Sequence, residues 1–357
     1  MQQYGTITPR LGRFLGKIFK NAIPVERLAR FGRAEQMPMN SSDTYVGRRY
    51  LPYGATGTNA DTINRFFVNG TGDRVQAMVQ AHQAQEGLTG APDHLQAVDT
   101  VVLIQEYDCL YSYTSKVAEL YEDDLPGEQV KQTGRRVALV GEMIRFLALK
   151  AGTNVYYGGT GTSLATVNGP LELPLQQRML RNLDANHAET ITTMLKASPD
   201  FGTEAVAEAF VAVVHTDLDS TLQKMQGYKP VELYASGKPF PGEICKIGRV
   251  RYIGHPDMVP QQDAGATVAN APGCVSTSGS NVDVYSGILF GEDAWSSISV
   301  RGSKNGMNIS PTHIKHSQKD KTDPHGRMGF VGASWRTAVM LENNGWMAAF
   351  HVCAEIL

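Results

Sequence analysis

Residues 286–357 constrain the fold more than any other stretch, because they read almost entirely as sheet. Ile288-Leu289-Phe290-Gly291-Glu292-Asp293-Ala294-Trp295 is an apolar run that closes in an acidic-aromatic box. Ser297-Ile298-Ser299-Val300 then alternates polar and apolar, the period-2 mark of a half-buried strand. After a polar loop over 317–327 comes a run from Trp335 to Leu341, then Glu342-Asn343-Asn344-Gly345, then a second run from Trp346 to Leu357. Two β-rich runs joined by Asn-Gly signal a hairpin, since both central residues of a type I′ turn need positive φ. The sequence therefore predicts a terminal hairpin tied into a sheet. Trp335 and Trp346 are its anchors, in a core or a subunit contact rather than in a ligand box.

The chain of 357 residues has room for two ordinary domains or one large elaborated one. Its 42% hydrophobic and 19% charged content is that of a folded protein, which excludes global disorder. A net charge of −2 excludes a surface that grips nucleic acid all over. Cys109, Cys245, Cys274 and Cys353 are widely spread with no C-x-x-C pair, so they read as buried free thiols rather than a zinc site or disulfide framework. No run of about 18 apolar residues is present to span a membrane. The N-terminus lacks the apolar core of a signal peptide, so secretion is not expected.

The first 35 residues carry seven cations against Glu26 and Glu35, a net of +5. Leu11, Phe14, Leu15, Ile18, Phe19 and Ala22 share one helical face, with Arg13, Lys17 and Lys20 on the other. A basic amphipathic segment of this kind suits a membrane surface, a transit peptide, a neighbouring subunit or enclosed nucleic acid. Docking on a subunit or facing nucleic acid fits the remainder of the chain best.

Residues 37–115 read as a long two-stranded excursion. One leg is Tyr45–Tyr53, Glu86 to Pro92 lies towards the tip, and Thr100–Thr114 is the other leg. Val101, Leu103, Tyr107, Cys109, Tyr111 and Tyr113 share a face of that second leg. Two strands alone have no core, so this face should be covered by another chain. Between the legs, 60–85 reads as an insertion with a helical piece over 74–85. A short helix over 115–124 stops at Leu125-Pro126. A long one over 128–151 follows, with the stripe Val130, Val137, Val140, Ile144, Leu147 and Ala151, and Arg135, Glu142, Arg145 and Lys150 on its polar side. Residues 153–285 are mixed: a helix over 173–187, a buried strand over 210–215, a helix over 217–225 and paired strands over 242–253.

The motifs form an ordered set: Glu86-Gly87-Leu88-Thr89 before Pro92, Ala151-Gly152-Thr153-Asn154-Val155-Tyr156-Tyr157, Phe210-Val211-Ala212-Val213-Val214-His215 and Gly242–Ile253. Phe290–Trp295, Asp323-Pro324, Gly332–Trp335 and Asn344-Gly345-Trp346 complete it. Together they resemble the major capsid proteins of tailed bacteriophages, in the branch typified by the phage named N-four. The resemblance implies an α+β chain of the Hong Kong-97-type capsid fold. Its parts would be a basic N-terminal arm (1–36), an extended β-loop (37–115), peripheral-domain spine helices (116–155), an axial domain (156–285), and peripheral-domain strands with the terminal hairpin (286–357).

It further implies a structural protein that self-assembles into the icosahedral head shell of a double-stranded DNA phage. Its expected place is the virion, after assembly in the host cytoplasm. Its partners would be itself, in hexamers and pentamers, then portal, scaffolding or decoration proteins and, non-specifically, packaged DNA. Expected assembly contacts are Arg13, Lys17, Lys20, Glu86, Tyr107, Tyr111, Tyr113, Trp335 and Trp346. No membrane, catalytic residue, metal or cofactor enters this reading.

The chemistry sought elsewhere is incomplete. Gly158-Gly159-Thr160-Gly161-Thr162-Ser163 suggests a phosphate cradle, but no Lys follows as a P-loop needs, and Leu164 occupies the third glycine position of G-x-G-x-x-G. His313, His316, Asp323 and His325 lie close in sequence, yet zinc needs three or four convergent ligands. Glu292 and Asp293 are adjacent and would point to opposite sides of a strand. Neither G-x-S-x-G nor H-E-x-x-H occurs. The alternatives are an enzyme that binds a phosphorylated ligand at 158–163, and an encapsulin shell of the same fold enclosing cargo.

Overall fold

The computed structural model describes residues 26–38, 42–50, 79–80, 82–84, 86–87, 95, 97–120, 124–192, 208–233, 239–300, 308–319 and 322–356. Its strands are β1 (Arg33–Met37), β2 (Thr44–Tyr50), β3 (Ala97–Leu103), β4 (Gln105–Thr114), β5 (Val155–Tyr157), β6 (Phe210–Val214), β7 (Tyr228–Pro230), β8 (Glu243–Ile247), β9 (Val250–Gly254), β10 (Tyr285–Phe290), β11 (Trp295–Val300), β12 (Asn308–Ile314), β13 (Met328–Leu341) and β14 (Met347–Val352). The helices are α1 (Ser115–Leu120), α2 (Leu125–Lys150), α3 (Leu173–Ala185) and α4 (Asp219–Lys224), and Leu28–Arg30 forms a 3-10 turn.

Two sheets and a ribbon organise these elements. β1, β11, β13 and β12 lie side by side, and β4 pairs with β13. The larger sheet runs β5-β14-β10-β6-β9-β8-β7, and β2 with β3 makes the ribbon. β6 occupies the middle of the larger sheet, parallel to β9 and antiparallel to β10, and every one of its residues is buried. That explains its unbroken apolar run, since a strand covered on both faces has no solvent side. One face carries Phe210, Ala212, Val214, Tyr252 and Phe350 under Leu175, Met179 and Leu183 of α3. The other carries Val211, Val213, Ile253, Ile288 and Phe290 under Phe146 and Leu149 of α2.

Helix α2 begins where the sequence permits. Asp124 accepts the Gly127 N–H at 3.1 Å as N-cap, and Pro126 sits in the first turn, where a missing N–H costs nothing. Its 26 residues make a strut about 39 Å long. Val130 and Val137 pack on β4 and β13 of the smaller sheet, and Phe146 and Leu149 reach the larger one. The buried face differs from the expected stripe: it is Val130, Thr133, Gly134, Val137, Ala138, Gly141, Glu142, Arg145, Phe146 and Leu149. Leu147 is 65% exposed. Small residues let the helix lie close to the sheet, and an ion pair occupies its core side. A count of large apolar side chains sees neither.

The terminal hairpin is not formed. β13 belongs to the smaller sheet and β14 to the larger, where β14 pairs antiparallel with β10 and parallel with β5. Asn344–Trp346 is a 3-10 turn, the Asn343 side chain accepts the Gly345 N–H at 3.0 Å, and Gly345 has no positive φ. Asn-Gly here is a crossover between sheets. The reason is coverage: all six residues of β14 are buried, which suits the inside of the larger sheet but not an edge hairpin.

Two other expectations change. The arm is integrated at its end, for β1 pairs in parallel with β11 and Leu28 is fully buried. The second leg of the excursion breaks at Ile104: 97–103 pairs with β2, whereas 105–114 runs along β13 from Thr337 back to Met328.

Candidate functional site

The Tyr-bearing face of β4 is covered by its own chain. Cys109 and Trp335 pack with Val137 of α2, with Tyr107 and Val140 against them, and Tyr107 stacks on Trp335 at 6.0 Å between ring centroids. Tyr113 packs with Val130 and Val331, and the Arg136 guanidinium lies 5.7 Å from the Tyr111 ring centroid. Gly329, opposite Tyr113 in register, makes room for that phenol ring, which a Cβ there would strike. Tyr107, Tyr111, Tyr113 and Trp335 therefore form the seam between α2 and the smaller sheet, not a face waiting for another subunit. Sequence alone misled here because it could not show that β13 and α2 return to cover the strand.

Trp346 is half-buried, and its Nε1–H donates to the Asn186 carbonyl at 3.0 Å, which anchors the crossover. Glu86 lies in an exposed turn. Arg13, Lys17 and Lys20 lie outside the described residues, as do 88–94 of the tip and nearly all of the 60–85 insertion.

What the ribbon offers is different. Its inner face rests Tyr45 and Val102 against Met37, Ile298, Ala338 and Met340 of the smaller sheet. Its outer face alternates out of that contact, leaving Val46 at 53%, Tyr50 at 60%, Val101 at 60% and Leu103 at 52% exposure. Val46 stands opposite Val101, and beside them Arg48 grips Asp99 through two hydrogen bonds of 2.7 and 2.8 Å. Four large apolar side chains are thus exposed on one face, with the ion pair between Tyr50 and the Val46, Val101 and Leu103 group.

Beneath the arm lies a buried charged hub that sequence reasoning missed. Glu142 of α2 accepts the backbone N–H groups of Arg27 at 3.1 Å, Leu28 at 2.7 Å and Ala29 at 3.0 Å. The Arg145 Nη1 donates to the same carboxylate at 3.2 Å, and its Nε donates to Ser297 Oγ at 3.2 Å. His255 Nε2 faces Glu142 at 3.5 Å. Burial pushes the Glu142 carboxyl up. The His255 ring, the Arg145 charge and the Leu28 and Ala29 N–H groups outweigh it and hold the carboxyl below its usual range. Glu26 beside them moves the other way: burial raises it, with Arg145 opposing and Glu142 adding. The hub clasps the arm's 3-10 turn to the strut and, through Ser297, to β11. The only signal for it was Glu142 and Arg145 one turn apart, a spacing indistinguishable from a solvated surface pair.

The loop over 158–163 is not a phosphate cradle. Five of its six N–H donors are used within the chain: Gly158 donates to His351 O, Gly161 to Gly158 O, Thr160 to Asn168 Oδ1, and Thr162 and Ser163 to Thr166 Oγ1. Glu292 and Asp293 line a cleft with Arg30, Phe31, Arg33 and Phe240, so arm cations face them. His316 meets Glu119 and the Tyr113 ring. Among the described residues, no group of three or more His, Cys, Asp or Glu is placed to hold a metal, and no helix is long and apolar enough to cross a membrane.

No family model matches the chain. Over 269 residues, 71% of this chain and 67% of the relative, it is 22% identical to the major capsid protein of Pseudomonas phage KPP21. The capsid of Ralstonia phage GP4 superposes with a TM-score of 0.55 at 13% identity, covering 91% of this chain and 87% of the other. The capsid of cyanophage Pam1 does so with a TM-score of 0.52 at 16% identity, covering 94% and 92%. The head of Helicobacter pylori bacteriophage KHP40 gives 0.51 at 12% identity, covering 90% and 86%. The α+β architecture, two sheets bridged by one long helix, is thus a phage capsid fold over nearly the whole chain.

Proposed function

We propose that this chain is a major capsid protein of a tailed bacteriophage, the subunit whose many copies close into the icosahedral head shell. The observation that carries this reading is the coincidence of two likenesses: the sequence match to a phage major capsid protein and the fold match along about nine-tenths of the chain. The role is structural. The 158–163 loop, with five of its six N–H donors already used within the chain, removes the support for a phosphoryl-binding enzyme, and no residue is assigned to catalysis.

In this reading the smaller sheet with α2 is the peripheral domain and the larger sheet the axial domain. The axial domain takes 285–290 and 347–352 in addition to the middle of the chain. The ribbon with residues 51–96 is the extended loop. Its outer face, through Val46, Tyr50, Val101 and Leu103, lies on a neighbouring subunit and replaces the Tyr face in that role. Glu86 sits near its tip. The basic segment with Arg13, Lys17 and Lys20 faces an adjoining subunit or, non-specifically, packaged DNA. Hexamers and pentamers assemble through many individually modest contacts that closed symmetry makes cooperative. Portal, scaffolding or decoration proteins are the remaining partners, and the virion, assembled in the host cytoplasm, is the location.

The test is assembly of the purified full chain followed by size-exclusion chromatography and negative-stain microscopy. Shells or capsomers are expected, empty of cargo enzyme. Val46→Asp with Leu103→Asp should abolish them while moving the subunit's unfolding free energy by no more than about 0.5 kcal/mol, because the side chains are exposed. A stable monomer under every assembly condition would overturn the reading. Intact shells from the double variant would overturn the ribbon's part in it.

A further inference from the structure

The four cysteines are far apart in sequence, but the crossover into the larger sheet brings two of them together. After β14 the chain runs antiparallel to the loop at 273–275. Val275 N–H donates to Ala354 O at 2.9 Å, Ile356 N–H donates to Gly273 O at 2.8 Å, and Cys274 stands opposite Glu355. Side chains two apart on a strand share a face, so Cys353 is the diagonal neighbour of Cys274. Both thiols are buried in one small cluster with Ala271 and Val282. The two side chains thus share one buried site, packed from the two facing segments. Cys109 and Cys245 belong to other clusters, under α2 and beside β9.

We propose that Cys274 and Cys353 form a dithiol that peroxide closes to an intramolecular disulfide, stapling the C-terminal segment to the 260–285 loop. The division of labour follows from their mutual influence: proximity to Cys353 outweighs burial and holds the Cys274 thiol below the usual range, while its neighbour and burial raise the Cys353 thiol, so the proton stays there. The Cys274 thiolate attacks one oxygen of hydrogen peroxide; the O–O bond breaks, and hydroxide leaves to take up a proton as water. The sulfenic acid on Cys274 is then attacked by the Cys353 sulfur; the S–O bond breaks, and the Cys353 proton departs with the oxygen as a second water. Two thiols are oxidised by two electrons and one peroxide is reduced to two waters. Closing the bond draws together two side chains of one buried cluster, on backbones held in antiparallel register.

The staple would close a loop across most of the C-terminal third of the chain. A crosslink over so many residues removes much of the unfolded chain's freedom and should raise the thermal midpoint by roughly 5 °C. The experiment treats the purified full chain with a small excess of hydrogen peroxide, blocks free thiols by alkylation, and maps peptides by mass spectrometry without reduction. A linked Cys274–Cys353 peptide, with Cys109 and Cys245 alkylated, is expected, and dithiothreitol should reverse both the link and the midpoint shift. In Cys353→Ala, dimedone should trap a sulfenic acid on Cys274. The proposal fails if all four cysteines are alkylated after peroxide, if Cys109 or Cys245 oxidises first, or if the linked peptides come from two different subunits. Because the unsubstituted chain gives the decisive reading, poor folding of the variant leaves the test intact.

Discussion

Glu142→Gln tests whether the arm is held by the buried hub or merely rests against the long helix. The wild-type carboxylate satisfies three backbone donors and faces Arg145, which is 2% exposed. A neutral amide offers one oxygen and brings two donors of its own into a site already full of donors. Breaking one side of a buried ion pair costs about 3–5 kcal/mol, a large share of the roughly 5–15 kcal/mol by which a domain is stable. The assay is urea unfolding of subunits kept below assembly concentration, with native-state hydrogen exchange at Arg27, Leu28 and Ala29. Lower stability and fast exchange at those amides are expected together. The double variant Glu142→Leu, Arg145→Met separates the two effects, since it removes the uncompensated charge and should be more stable than Glu142→Gln while the three amides stay unclasped. The pH dependence has a definite sign. The folded carboxyl sits below its ordinary 4.5, so its contribution is complete above that value and is lost as pH falls through the lower folded value. Glu142→Gln should flatten that window. A variant within about 1 kcal/mol of wild type, with the arm amides still protected, would refute the reasoning.

Two further outcomes are expected. Trp335→Ala should cost the isolated subunit about 3–5 kcal/mol, read by the same urea titration, because Trp335 fills the seam under α2; a subunit of unchanged stability that fails only in assembly would return it to an interface. Burial, with Lys150 nearby, holds the His351 ring at about 4 instead of 6.5, so the folded state keeps it neutral. Stability should be complete above the unfolded value and fall by roughly 3 kcal/mol as pH drops from 6.5 to 4, a dependence that His351→Gln removes.

Much of the fold was legible because local chemistry and tertiary role agreed. The run Phe210–His215 is a strand buried on both faces, whereas Leu125-Pro126, read as the stop of the short helix, opens α2 in its first turn. The helix over 173–187 and the paired strands over 242–253 are also where their patterns put them. Legibility ended where the role of a residue depended on partners distant in sequence. Asn344-Gly345 has the chemistry of a tight turn, but the apolar run after it pairs with β10, more than fifty residues earlier, and not with β13. Tyr107 and Tyr113 looked unpartnered because their cover arrives from α2 and β13. Glu142 and Arg145 read as solvated because burial of a charge is decided by what packs against it. Val101 and Leu103, by contrast, belong by alternation to the face expected to be uncovered, and they are exposed, at 60% and 52%.

β13 gives the subunit a load path. One strand of 14 residues is flanked on one side by β4 along ten residues and on the other by β12 and then β11, and its end crosses directly into the larger sheet. Tension applied along that strand acts in shear on both flanks, so the ladders share it and must yield together. The same tension applied to the ribbon peels β2 from β3 one pair at a time. Under such a load the two-stranded ribbon gives way first, while the long strand and the helical strut packed on it hold the two sheets together.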